Sequence, residues 1–475
     1  MFGESADDQF QSVGLLPHQV AFVDAVMSAV RPARFLLIAP PGFGKSHAIS
    51  SAVRMLTSQS TTPTRCLVIV PAALQAVWAA LLHGIVGVEP MVVNAPVYRL
   101  IQAETPSDQN PWATHPCIVT SIDFLKKRGR AEQALALPWD VVVLDEVHQW
   151  STRTWRGHLA SRIWDADQVA VAIATTTSPD HVHGLFDARV FRWTHQDIRD
   201  WDGTRIVPGR RVETTTYEVS AAEQEFGCRF NEFLDALPEK PAVGWMRTIL
   251  LGRWRSSPYA VEQSLRRALI GAETLTDYSR EAEDLSPEYV PDDEIDVSSL
   301  PYETDWDVQE CQGLLHVLEQ IAEDSKWAAC ESLLRGIRVG DERSIVLFTE
   351  FVDTAEYVSS LAQSSGWRTH LISGAVPVDE RQQAVLSAQS EPSVLIVTTG
   401  TTEGLNLSIT DHVLHYDIAE RPEALLRRYG ACAYSGSRFP LVYHHFLVAE
   451  GSVERSILDR LLEEVDRIEQ MFGRR

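Results

Sequence analysis

FLLIAPPGFGKSHAISSAVRML, the stretch from Phe35 to Leu56, decides how this chain is read. An apolar run leads into a turn rich in Gly and Pro, and the turn leads into a segment with helical spacing. The run lacks period-two alternation, so it suits a strand covered on both faces of a parallel sheet. In the turn, Gly42 and Gly44 let the backbone bend sharply and aim N–H groups at an anion. The start of the next helix adds the positive end of its dipole. Lys45 then supplies a cation for the β and γ phosphates, and the Ser46 hydroxyl is placed to hold Mg²⁺. These are the parts of a phosphate loop, and ATP with Mg²⁺ is the expected ligand.

A second stretch completes the chemistry. WDVVVLDEVHQW, from Trp139, puts Asp145 and Glu146 at the carboxyl end of an apolar strand, where open parallel sheets hold their ligands. Asp145 is expected in the Mg²⁺ shell, Glu146 as the group that orients or deprotonates the attacking water, and His148 beside them in the catalytic set.

Working outward, short apolar runs alternate with helical segments: CLVIV at Cys66, VVVL at Val141 and VAVAI at Val169 follow the first strand. A second series, SIVLF, THLIS, SVLIV, HVLHY and VYHHFLV, begins at Ser344. The chain is therefore α/β with two parallel-sheet lobes, placed at 1–200 and 311–475. A helical insertion and an acidic linker are expected over 201–310, and one amphipathic helix over Val453–Phe472. From Glu281 to Glu310 there are twelve Asp and Glu and no Lys or Arg, so this segment holds about half of a net charge of −23. Acidity on that scale excludes non-specific coating of nucleic acid and leaves room for a local basic groove. No run reaches the roughly 18 uncharged apolar residues of a membrane helix. MFGESADDQF shows no leader, so a cytoplasmic protein without membrane contact is expected. The six cysteines are too scattered for a zinc site or a disulfide framework.

With both phosphate motifs in place, the chain resembles the Swi/Snf-type helicase-like ATPases of superfamily two, particularly the bacterial RapA-like group. LLPHQ resembles the adenine-reading segment, with Gln19 facing the base. VPAALQAVW, with Pro71 and Trp78, and VTSIDFL, with Thr120 and Ser121, resemble segments that touch a DNA strand. ATTTSP is similar to the coupling motif at Thr176, Thr177 and Ser178, and SSPYAVEQSLRRAL to the helical protrusion. In the second lobe the matching runs are SIVLFTEFVDTAEYV, HLISGAVPVDERQ and TTGTTEGLNLSITDHVLHYD. The resemblance puts Arg381, Thr398 and Asn406 on the DNA side and Gly404 on the nucleotide side. It implies two RecA-like lobes and a motor that tracks double-stranded DNA, with protein partners in a bacterial complex of the defence type. A nucleotide-gated scaffold or DNA-recognition subunit is the alternative.

One departure bears on activity. Relatives carry a run like QRIGRIHRIGQ, with two arginines at the γ-phosphate, where this chain has RRYGACAYSGS from Arg427. Aligned on Gly430, those positions hold Ala431 and Tyr434. Slow hydrolysis is expected, with Arg427, Arg428 or Arg438 as replacement fingers, and Arg at both 431 and 434 is expected to restore turnover.

Overall fold

In the computed structural model, residues 14–127, 129–147, 155–177, 187–194, 197–237, 241–269, 308–338, 343–374, 376–402, 405–433, 437 and 439–472 are described. The expected acidic linker and the sites His148, Ser178, Gly404, Tyr434 and Arg438 lie outside the described residues.

The described residues divide into two compact units, one running through Val207 and including 466–472, the other holding 208–433 and 437–465. In the first unit, seven strands are described: β1 Ala33–Ile38, β2 Cys66–Val70, β3 Met91–Val93, β4 Cys117–Ser121, β5 Trp139–Leu144, β6 Val169–Thr176 and β7 Arg189–Arg192. They pair in the order β3-β4-β2-β5-β6-β1-β7, and every pairing is parallel. The runs CLVIV of β2 and CIVTS of β4 are buried at every position, which is why they lack alternation. Because β6 lies between β1 and β5, the loops leaving β1 and β5 open at the same edge of the sheet, on either side of one strand.

The second unit has six described strands: β8 Gly209–Tyr217, β9 Ile345–Thr349, β10 Thr369–Ile372, β11 Val394–Thr398, β12 His412–His415 and β13 Leu441–Ala449. Their order is β10-β11-β9-β12-β13-β8, again all parallel. This moves the expected boundary. The sequence reading placed 201–310 between the lobes, but Gly209–Tyr217 pairs along its whole length with β13 as an edge strand of the second sheet. Only its half-buried pattern, against the full burial of β9, marks it as an edge.

The helices Ala221–Ala236, Pro241–Ser256, Pro258–Leu269 and Val308–Leu318 form a block with its own apolar core of Phe226, Phe230, Met246, Leu250, Leu265 and Leu314 among others. Ser220 caps the first helix, and its N–H is taken in return by Glu223, closing a capping box. The same Glu223 carboxylate also accepts the Ser325 N–H at 3.0 Å, joining this helix to the start of Ser325–Arg338. Arg253, fully buried, and Arg267 both pair with Asp353 in the first turn of the helix Val352–Ser364. Apolar packing and buried ion pairs thus fix the block within the second unit.

Phe230 is fully buried between Phe226 and Phe233, with ring centroids at 5.4 and 6.3 Å. Phe230→Ala should lower the stability of this unit by about 3–5 kcal/mol, while Glu232→Ala on the exposed face should stay within about 0.5 kcal/mol, as read by urea denaturation.

Candidate functional site

Strand β1 ends at Ile38, and Ala39 N–H donates to the Thr176 carbonyl at 3.2 Å, so the loop leaves the sheet beside the end of β6. Gly42 and Gly44 have φ of 81° and 74°, a region that side chains avoid. At Gly44 space is also closed: a Cβ there would lie 2.2 Å from the Gln19 amide nitrogen. Gly44 caps the helix Lys45–Gln59, whose first turn carries no acidic side chain to compete for its free N–H groups.

Lys45 is buried and folded onto the loop, its ammonium donating to the Ala39 carbonyl at 2.8 Å and standing 3.8 Å from Glu146. Asp145 is 3% exposed and accepts two bonds, from the Thr175 hydroxyl and, at 2.6 Å, from the Trp78 indole N–H. Burial pushes its carboxyl up to about 6, Glu146 adds to the rise, and the Thr175, Trp78 and Lys45 contacts oppose it. Glu146 holds φ of 54°, uncommon for a residue with a side chain. Its N–H donates to Thr175 Oγ1 at 3.1 Å, and Thr177 Oγ1 donates to its carboxylate at 3.1 Å.

These residues suit ATP with a divalent ion. A glycine cradle that a Cβ would fill, a buried ammonium satisfied by carbonyls, and a carboxylate whose ionised form gains from a cation all stand at one sheet edge. His18 Nδ1, buried and without a hydrogen bond, lies in a residue whose Nε2 is 3.4 Å from the Phe43 carbonyl of the loop.

Gln19, expected at the base, is 2% exposed, and its amide is engaged at both ends, by the Leu16 N–H at 2.9 Å and the Gly44 carbonyl at 3.2 Å. In this conformation it braces the phosphate loop. Four side chains expected at DNA are buried instead and serve their own lobe. Trp78 is bonded to Asp145, Thr120 donates to the Val93 carbonyl at 2.9 Å, and Ser121 caps the turn at Ile122 by accepting the Phe124 N–H. Thr398 sits 3.4 Å from the Thr401 hydroxyl at the end of β11. Pro71 and Arg381 are half-buried and Asn406 is exposed. Arg381 itself spans its loop, donating to the carbonyls of Val376 at 2.7 Å and Gly374 at 3.2 Å.

Arg428, expected as a possible replacement finger, is engaged within its own lobe. It is 0% exposed, paired with Glu350, and donates to Thr399 Oγ1 at 3.0 Å and the Asp417 carbonyl at 2.8 Å. Ala431 is 5% exposed in a cluster with Phe348, Leu407 and Val413, and its carbonyl accepts the Leu407 N–H at 2.8 Å. Arg427 is half-buried on the same helix. Sequence reasoning missed Thr175, although ATTTSP contains it; pairing of Leu144 with Ala174 is what puts it beside Asp145.

Residues 12–177 match the family model described as type III restriction enzyme, res subunit, and residues 325–433 match the helicase conserved C-terminal domain. These two matches, together with the relatives that follow, support a helicase-like ATPase of superfamily two. It is 21% identical to the uncharacterized ATP-dependent helicase YqhH of Bacillus subtilis, over 96% of this chain and 79% of that protein. It is 23% identical to the RNA polymerase-associated protein RapA of Vibrio cholerae, over 95% of this chain but only 49% of that one. The Hef helicase domain of Pyrococcus furiosus shares the fold, with a TM-score of 0.54 at 14% identity, covering 94% of this chain and 98% of the other. Among the described residues, no helix is long and apolar enough to cross a membrane.

Two outcomes test the site. Lys45→Ala should abolish binding of fluorescent ATP with the circular dichroism unchanged; undiminished binding removes Lys45 from the site. Burial holds His18 down at about 4 against an ordinary 6.5. Between those values the unfolded chain binds more protons there than the folded one, so stability falls as pH falls. The loss from pH 7 to 5 should be about 2 kcal/mol at this residue, and smaller in His18→Gln, by urea denaturation.

Proposed function

We propose that this chain is an ATP-binding motor of the Swi/Snf type that tracks double-stranded DNA, and that its own hydrolysis is slow. The observation that carries the nucleotide half is the convergence of Lys45, Asp145 and Glu146 at one edge of the first sheet. DNA is supported by the second-lobe runs SIVLFTEFVDTAEYV and TTGTTEGLNLSITDHVLHYD, and by RapA among the relatives.

Bound Mg²⁺ would neutralise phosphate charge, with Ser46 and Asp145 as its protein contacts. Lys45 is placed to leave the Ala39 carbonyl for phosphate oxygens. Glu146, held by Thr177 at one carboxylate oxygen, is placed to take a proton from water. Pro71, Arg381 and Asn406 remain as contacts to the DNA backbone, which such a motor follows without reading bases. We place the chain in the bacterial cytoplasm, working with partner subunits of a defence-type complex.

Slow hydrolysis is supported by two residues of the second lobe. An arginine finger is worth on the order of 10³-fold or more in rate. Arg428 is paired in the core, and Ala431 stands buried in an apolar cluster at one finger position. Arg at position 431 would enter that buried cluster, so any gain in turnover from Arg at 431 and 434 would come with strain on the lobe. These two residues also favour the second reading, a nucleotide-gated scaffold or DNA-recognition subunit.

Single-turnover assays and duplex-DNA binding across salt concentrations decide between these. The expected results are salt-sensitive duplex binding, slow ATP cleavage, and little further loss in Glu146→Gln. A brisk DNA-stimulated rate that collapses in Glu146→Gln overturns the slow-hydrolysis reading, and binding confined to single-stranded RNA overturns the duplex reading.

A further inference from the structure

The Trp78 indole lies inside the first lobe with 1% of its surface exposed, and its only polar atom points at Asp145 Oδ2, 2.6 Å away. Trp78 sits on the helix Gln75–Leu81, which starts directly after the turn Ala72–Leu74 at the end of β2. At its other end this helix passes into a π-helical turn, Leu82–Val86, that packs on the phosphate-loop helix Lys45–Gln59. A single short element thus joins three places: the turn at Pro71, the carboxylate expected to hold Mg²⁺, and the helix that starts at Lys45. Isolated π turns inside helices are local departures from the i→i−4 ladder and are often found at functional sites.

The Asp145 carboxylate is gripped from two sides. Thr175 on β6 donates to Oδ1 and Trp78 donates to Oδ2, while the backbone N–H of Asp145 donates to the Ile69 carbonyl of β2 at 3.0 Å. Thr175 is fixed in a central strand. Trp78 is on a peripheral helix tied to a turn, so it is the side of the grip that can move with that turn.

We propose that Trp78 is a positioning residue that couples the turn Pro71–Leu74 to Asp145, so that engagement of a DNA strand at the turn sets the grip of Asp145 on Mg²⁺. The proposal rests on the reading under Proposed function that this turn meets DNA. It gives a reason for a buried donor where a surface aromatic was expected. A hydrogen bond from a buried indole to a carboxylate orients the oxygens and favours the charged form that a divalent ion requires.

Trp78→Phe keeps the ring and removes the donor. The test compares ATP binding with Mg²⁺ and with EDTA, each with and without duplex DNA. The expected result is that binding with Mg²⁺ weakens about tenfold, the scale of one hydrogen bond to a charged group. Binding in EDTA is expected to be unchanged, and duplex DNA is expected to strengthen Mg²⁺–ATP binding in the parent but not in Trp78→Phe. Equal weakening with and without Mg²⁺ makes Trp78 a packing residue and overturns the proposal, as does no weakening at all.

A second measurement reads the parent itself and uses the variants only to assign one resonance. In the parent labelled with 5-fluorotryptophan, the ¹⁹F resonance of Trp78, assigned by its loss in Trp78→Phe or Trp78→Tyr, is expected to move with Mg²⁺–ATP and again with duplex DNA. A resonance that ignores DNA while the parent binds DNA overturns the coupling. A parent that does not bind duplex DNA in a filter assay fails at the earlier reading and is recognised there.

Discussion

A carboxylate nearly sealed from water must be held by donors or it will not stay ionised, and Asp145 sets that constraint on the first lobe. The parallel pairing of β5 with β6 answers it, because it brings the Thr175 hydroxyl against Asp145. That hydroxyl donates to Asp145 and accepts the N–H of Glu146, the one described non-glycine residue with positive φ. One side chain therefore orients the carboxylate and sustains a backbone bend costing on the order of 1 kcal/mol or more. The bend turns Glu146 toward Thr177 and Lys45, out of the line of the strand. Sheet order, loop and site follow from satisfying the same two adjacent acids.

The second lobe meets a similar constraint with an ion network. Arg428 is buried and its partner Glu350 half-buried; Asp417 accepts from the Thr349 hydroxyl and the Glu350 N–H, and Lys326 approaches Asp417 at 3.7 Å. Taking these charges out of water is costly, so each guanidinium and carboxylate group must be matched. Removing one member would leave its partner buried and unpaired, which makes the network rigid and intolerant of change. Arg428 is an element of architecture for that reason.

What could be read from the sequence was local or periodic. The phosphate loop declares itself in consecutive residues, since glycine placement, lysine and the following helix all act within one turn of chain. The apolar runs announce parallel strands because burial on both faces removes alternation. Trp78, Thr175 and Arg428 could not be read in this way. Their roles depend on which strand lies beside which, so an indole assigned to the surface proved to face a carboxylate 67 positions later in the chain. RRVETTTY could be read as a strand that follows the first lobe, but its place in the second sheet could not, because only pairing with β13 assigns it there. Helices Ala221–Leu269 were legible as helices, yet their attachment was not, because Arg253 and Asp353 are brought together only by the fold.

Ala431 has a bearing on history as well as on rate. It is buried in the apolar cluster that includes Phe348, Leu407 and Val413, and its carbonyl accepts the Leu407 N–H. Neighbours that have closed around a small side chain make return to a long cationic one a change in several residues at once. The departure at this position is thus easier to enter than to leave. Under the slow-hydrolysis reading proposed above, a lineage carrying it would recover turnover through a cation supplied by another molecule sooner than by reversal at position 431.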